Sequence, residues 1–114
     1  MIKSCTLMEK YISLIKNENK TIEARIAIDM FLKWRVGDTV NFFSRRNASV
    51  RVLTEITQIK KYKSFEEMLE SERPENLIPG ISDVSLAVNE YLKIPNYAER
   101  EHLGVLAFHL KVLR

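Results

Sequence analysis

At 114 residues with a formal net charge of +3, the chain has the size of one domain and only a mild cationic excess. Apolar residues make up 46% of it and charged residues 29%, a globular balance that excludes an intrinsically disordered chain. Three glycines, three prolines, a single cysteine and the lack of any long apolar run exclude a flexible linker, an internal disulfide and a membrane-spanning helix.

The amino terminus, Met1-Ile2-Lys3-Ser4-Cys5, carries no apolar segment of secretory type, and the lone Cys5 fits a reducing, cytoplasmic compartment. One cysteine and two distant histidines, His102 and His109, fall short of the three or four ligands of an ordinary zinc site. Neither a metal nor a cofactor is expected. The charge permits an anionic partner without requiring one, so its local distribution matters more than its sum.

In chain order, Met8, Tyr11, Ile12 and Ile15 fall at i, i+3, i+4 and i+7, which predicts an amphipathic helix ending in the polar turn Lys16-Asn17-Glu18-Asn19. The next segment, Lys20 to Ile26, alternates. Ile22, Ala24 and Ile26 point one way, and Thr21, Glu23 and Arg25 the other, the pattern of a half-buried strand. Asp29-Met30-Phe31-Leu32-Lys33-Trp34 is an apolar stretch before the turn Val36-Gly37-Asp38. A strand over Thr39–Ser44, a hairpin loop at Arg45-Arg46-Asn47-Ala48 and a long β-rich run from Val50 to about Tyr62 follow.

Ser64-Phe65-Glu66-Glu67 is a capping box for a short helix with an apolar stripe of Phe65, Met68 and Leu69. Pro79-Gly80 breaks the chain before Val84, Ala87, Val88 and Tyr91 resume helical spacing. The closing strand, Val105 to Val112, sets Leu106, Phe108, Leu110 and Val112 on one face and His109 on the other. There is no regular βαβ rhythm, so the expected fold is α+β: a small, mostly antiparallel barrel or curled sheet with flanking helices, in one domain over residues 1–114.

The strand face of Thr21, Glu23 and Arg25, with Lys20 at its mouth, is the first candidate site. Residues two apart on a strand lie about 6.6 Å apart, close enough for a carboxylate and a guanidinium to grip two parts of one small polar ligand. Glu23 is suited to an exocyclic amine, and Arg25 and Lys20 to phosphate or carbonyl oxygens. A surface ion pair between Glu23 and Arg25 is the plain alternative. Lys60-Lys61-Tyr62-Lys63 joins basic residues to an aromatic, which makes Lys61 and Lys63 candidates for tracking phosphates; Arg45-Arg46 at the hairpin tip is another cationic pair. Trp34 is either a stacking platform beside the pocket or a core residue.

Asn19-Lys20-Thr21-Ile22-Glu23-Ala24-Arg25, shortly after an amphipathic helix, resembles the Gly-x-Lys-Thr-x-Glu-x-Arg signature of ASCH (activating-signal-cointegrator homology) domains, relatives of the PUA fold. Val36-Gly37-Asp38-Thr39-Val40, Tyr62 to Met68, Glu75 to Gly80 and Gly104 to Phe108 agree with the family in order, so the resemblance spans almost the whole chain. It implies a PUA-like β-barrel with a cleft that binds RNA, a nucleotide or a nucleoside, lined by Lys20, Glu23 and Arg25. One departure is visible: Glu18 or Asn19 stands where the family often has glycine, implying a turn of different shape.

Some bacterial relatives are amidohydrolases that remove acetyl from N4-acetylcytidine with a lysine, a threonine nucleophile and a glutamate acid. By position, the lysine matches Lys20 and the glutamate Glu75, but Glu23 occupies the threonine's place. Hydrolysis would then fall to Thr21 as nucleophile or Glu23 as general base. A binding module is the first reading, the hydrolase the alternative, and a ribonuclease a third.

Overall fold

Helix α1, Glu9–Lys16, forms on the predicted stripe, with Ile12 and Ile15 fully buried and the polar edge turned outward. The computed structural model describes residues 2–113; Met1 and Arg114, the ends of the expected domain, lie outside the described residues. Past the α1 C-cap at Asn17, Glu18 takes φ of 66°, the left-handed conformation that most favours glycine. The turn therefore keeps the backbone a glycine would adopt, although no glycine is there. Amides of Asn19 and Lys20 both bond the Leu14 carbonyl at 3.0 Å and aim the chain into the following strand.

Five strands follow one another in space as β1–β3–β4–β5–β2: β1 is Ile2–Thr6, β2 Ile22–Ile26, β3 Thr39–Phe43, β4 Arg51–Tyr62 and β5 Val105–Val112. All neighbouring pairs are antiparallel except β1 with β3, in which Cys5 faces Phe42. An irregularity between Ile56 and Gln58 shifts the register of the long β4 against β5, the kind of extra residue that bends a strand and increases twist. The result is an α+β half-barrel, a curled sheet whose edges are β1 and β2.

Alternation along β5 explains how both faces are covered. Leu106 and Phe108 enter one cluster with Ile12 and Ile15 of α1, Val40, Phe42, Val52, Ile56 and Trp34. Val105 and Ala107 enter the other, with Ile22, Ala24 and Ile26 of β2. That second cluster is closed by α3, Phe65–Glu72, through Phe65, Met68 and Leu69, and by α4, Val84–Leu92, through Ala87 and Tyr91. Burying each large apolar side chain stabilises the fold by about 1.5–3 kcal/mol before entropy is counted. Ser64 caps α3 by accepting from the Glu67 amide at 3.1 Å, while the Glu67 carboxylate accepts from Lys63 N instead of returning to Ser64.

Two elements carried little sequence signal. Strand β1 is half exposed and owes its existence to β3, a partner beyond both α1 and β2. The short α2, Asp29–Leu32, fills the apolar stretch before Trp34. A further short helix, α5, Tyr97–Arg100, follows Asn96, which is left-handed at φ of 71°. Among the described residues, no helix is long and apolar enough to cross a membrane.

Candidate functional site

The predicted alternation of β2 sends Glu23 and Arg25 away from the isoleucines, toward the gap between the two sheet edges. There they form a linked ionic group with Lys20. Glu23 Oε2 accepts from Arg25 Nε at 2.8 Å and lies 2.7 Å from Arg25 Nη2, while Glu23 Oε1 lies 3.1 Å from Lys20 Nζ. Arg25 Nη2 also donates to the Thr6 carbonyl at 3.2 Å, so one guanidinium ties β2 to the end of β1. The Glu23–Arg25 pair is no surface ion pair, because the two side chains are 8% and 15% exposed.

Lys20 is held on every side. Beyond Glu23, its ammonium donates to the Ile22 carbonyl at 2.7 Å and the Leu77 carbonyl at 2.8 Å, and it lies 5.5 Å from the centre of the Tyr11 ring. Three acceptors for three N–H bonds is full satisfaction of a protonated lysine. Burial holds the Lys20 pKa below its ordinary value, with Glu23 acting in opposition. For Glu23, burial pushes upward, but Arg25 and Lys20 together outweigh it and hold the carboxyl below the ordinary range. Arg25 is also desolvated, yet Glu23 beside it raises its pKa further. The group is thus two cations around one anion, with Arg25 the most accessible member.

Above it lies a cleft of about 980 Å³, within the range that admits a small organic ligand. Its walls come from the β1–α1 connection, β2, the β3–β4 loop and the α4–α5 connection. Six cations line it, Lys10, Lys20, Arg25, Arg45, Arg46 and Lys93, against three carboxylates, Glu9, Glu23 and Glu90. Aromatic surface comes from Tyr11, Tyr91 and Tyr97. Phe65 stacks against both Tyr91 and Tyr97, at 4.8 and 5.7 Å between ring centres, and fixes them as rigid panels. Burial raises both phenol pKa values, so the hydroxyls stay neutral donors at ordinary pH.

Other sequence candidates sit elsewhere. Thr21 is exposed, outside the cleft lining, with its amide on the Asn76 carbonyl and its carbonyl on the Leu110 amide. Glu75 is exposed in a short turn of 3₁₀ helix and does not line the cleft either. Of Lys20, Thr21, Glu23 and Glu75, the structure brings together Lys20 and Glu23. Trp34 is a core residue, 4% exposed and 5.0 Å from the rings of both Phe31 and Phe108. Lys61 and Lys63 line a separate hollow with Tyr62, Glu67, His102, Leu103 and Gly104, which shares no lining residue with the cleft.

Tyr11, Tyr91 and Tyr97 lie on α1, α4 and the start of α5, and no local pattern signals that these three elements converge. A second buried carboxylate, Glu72, had a readable signal. It continues the Phe65, Met68, Leu69 stripe at i+7, a position that faces the core. Its oxygens meet the Tyr62 hydroxyl, which donates at 2.6 Å, and His109 Nε2 at 2.9 Å.

A curled, mostly antiparallel five-stranded sheet with flanking helices is a PUA-like fold. The chain matches the ASCH domain family over residues 6–113 and belongs to that family, which is associated with RNA binding. The crystal structure of the hypothetical protein PH0355 is similar, with a TM-score of 0.88 at 29% identity, over 99% of this chain and 100% of that one. The solution structure of protein PF0455 from Pyrococcus furiosus gives 0.76 at 27% identity, over 100% and 99%. An ASCH domain from Lactobacillus crispatus shares the fold, with a TM-score of 0.67 at 14% identity, over 97% of this chain and 79% of that one. Among curated proteins there is no significant match.

Proposed function

We propose that this ASCH domain binds RNA or a nucleotide in the cleft, with Arg25 as the contacting residue and Lys20 and Glu23 as the residues that position it. The observation that carries this reading is the division of labour inside the ionic group. Glu23 takes up Nε and Nη2 of Arg25, and no hydrogen bond among the described residues uses Nη1. A planar guanidinium held through Nε and Nη2 by Glu23 and the Thr6 carbonyl is pre-organised to offer its Nη1 amino group to a phosphate or carbonyl oxygen. The flanking tyrosines supply the flat apolar surface that a base requires. Family membership supports the same ligand class.

Geometry favours binding over hydrolysis. A lysine serving as a proton acceptor needs a free lone pair, and all three donors of Lys20 are engaged. Thr21 and Glu75 are not in the cleft, and the family resemblance aligns Glu23 with the threonine nucleophile of the hydrolases. Incubation with N4-acetylcytidine is expected to release no acetate beyond a protein-free control; sustained release would restore the hydrolase.

The reading is tested by a thermal-shift panel of nucleosides, nucleotides and short RNAs, since a ligand that binds the native state raises the melting temperature. At least one compound is expected to stabilise the parent while leaving Arg25→Ala unmoved. Equal shifts in both proteins would remove the site from the cleft.

A further inference from the structure

The β3–β4 loop brings two arginines to the cleft with no partner of their own. Both Arg45 and Arg46 line the cleft and are exposed, and neither guanidinium has an ion pair or side-chain hydrogen bond among the described residues. They nevertheless project from a braced loop. Ser44, 3% exposed, donates its hydroxyl proton to Glu9 Oε2 at 2.8 Å and accepts from the Arg46 amide at 3.2 Å. Ser44 N bonds the Val50 carbonyl, Val50 N bonds the Asn47 carbonyl, and Asn47 Oδ1 accepts from the Ser49 amide and hydroxyl.

The loop is also next to Arg25. Thr6, whose carbonyl Arg25 holds, pairs with Phe43, the residue before Ser44, and Leu7 N bonds the Phe43 carbonyl. Other cations at the cleft are already engaged: Lys20 as described, Lys93 with Glu90 at 3.5 Å, and Lys10 over the Tyr11 ring at 5.1 Å. The cleft therefore has an aromatic wall of tyrosines, a fixed guanidinium in its floor, and two uncommitted guanidiniums at its rim.

We propose that Arg45 and Arg46 form a phosphate-holding arm, so that the ligand is a phosphate ester, as a nucleotide or as an RNA backbone, and not a bare nucleoside. This rests on the binding function assigned to the cleft. The braced loop spares the backbone ordering that a mobile loop would need on engaging a phosphate, and the planar fork of each arginine fits its oxygens. A neutral nucleoside would leave both cations unused.

The test titrates the parent and the R45Q/R46Q double variant with the four ribonucleosides, their 5′-monophosphates, and a fluorescein-labelled single-stranded RNA of about eight nucleotides, a length suited to a small domain. A K16Q/K111Q variant, which removes two exposed cations away from the cleft, controls for overall charge. We expect R45Q/R46Q to weaken the phosphate-bearing ligands by about tenfold or more, and K16Q/K111Q to bind like the parent. With the RNA, the log–log salt dependence should become shallower by about 0.7 for each arginine removed. Preference for RNA over every monophosphate identifies a backbone as the source of the phosphate, and the reverse identifies a free nucleotide.

Undiminished phosphate binding by R45Q/R46Q, or parent affinity for a nucleoside equal to that for its monophosphate, overturns the arm and leaves the cleft function standing. Failure of the parent to bind any of these ligands overturns both.

Discussion

Two buried carboxylates, Glu23 and Glu72, sit on opposite sides of the sheet and end in different situations. Glu23 lies between two cations at the open side, under a cleft of about 980 Å³. Glu72 lies between a phenol and an imidazole, and neither it nor His109 lines the cleft or the smaller hollow. Both are satisfied, as buried charges must be. The difference is what each leaves for others: Glu72 closes a contact between α3, β4 and β5, whereas Glu23 fixes an arginine that still faces open space. A buried acid marks a site when its partner has a face left over.

The sharpest way to break this contrast is to remove Glu23. Glu23→Ala leaves Lys20 buried beside Arg25 with no anion between them, and should cost about 3–5 kcal/mol in urea unfolding, together with all ligand binding. A loss below about 1 kcal/mol would mean that the ammonium is not confined as described. Arg25→Gln comes next. Lys20 still pairs with Glu23, so stability should fall by about 1–3 kcal/mol, and the diagnostic loss is binding. Glu72→Gln keeps hydrogen-bonding capacity toward Tyr62 and should cost about 1 kcal/mol with ligand affinity unchanged. Impaired binding in Glu72→Gln would erase the distinction between the two regions.

Acid sensitivity refines the comparison further. Burial pushes both carboxyls upward, but both are held below the ordinary 4.5, Glu23 by Arg25 and Lys20, Glu72 by the Tyr62 hydroxyl and His109. A carboxyl with a depressed folded pKa contributes stability that is complete above the unfolded value and is lost as pH falls through the folded one. Urea midpoints of the parent should therefore decline below about pH 4.5, and Glu23→Gln and Glu72→Gln should each flatten that decline. An unchanged slope in either variant would show that its carboxyl is not held low.

Local pattern carried much of this structure. The α1 stripe, the β2 and β5 alternations and the Ser64 cap all depend on neighbours a few residues apart, and all lie where the spacing placed them. The Lys20–Glu23–Arg25 cluster was legible for the same reason. Its burial was not, because Lys20 is sealed by the Leu77 carbonyl, far along the chain. Nothing local announced β1, which depends on β3, or the convergence of Tyr11, Tyr91 and Tyr97. Trp34 shows the converse limit. A lone tryptophan before a turn reads equally as platform or core, and contacts with Phe31, Phe42 and Phe108 decide for core.

The measurement closest to the central claim is amide and arginine side-chain NMR of the labelled protein titrated with the same short RNA and the 5′-monophosphates. Shifts should cluster on Thr6 to Tyr11, Lys20 to Arg25, Ser44 to Arg46 and the Glu90 to Tyr97 wall, with the Arg25 Nε resonance among the largest. Shifts concentrated instead around Lys61, Lys63 and His102, with Arg25 unmoved, would contradict the claim.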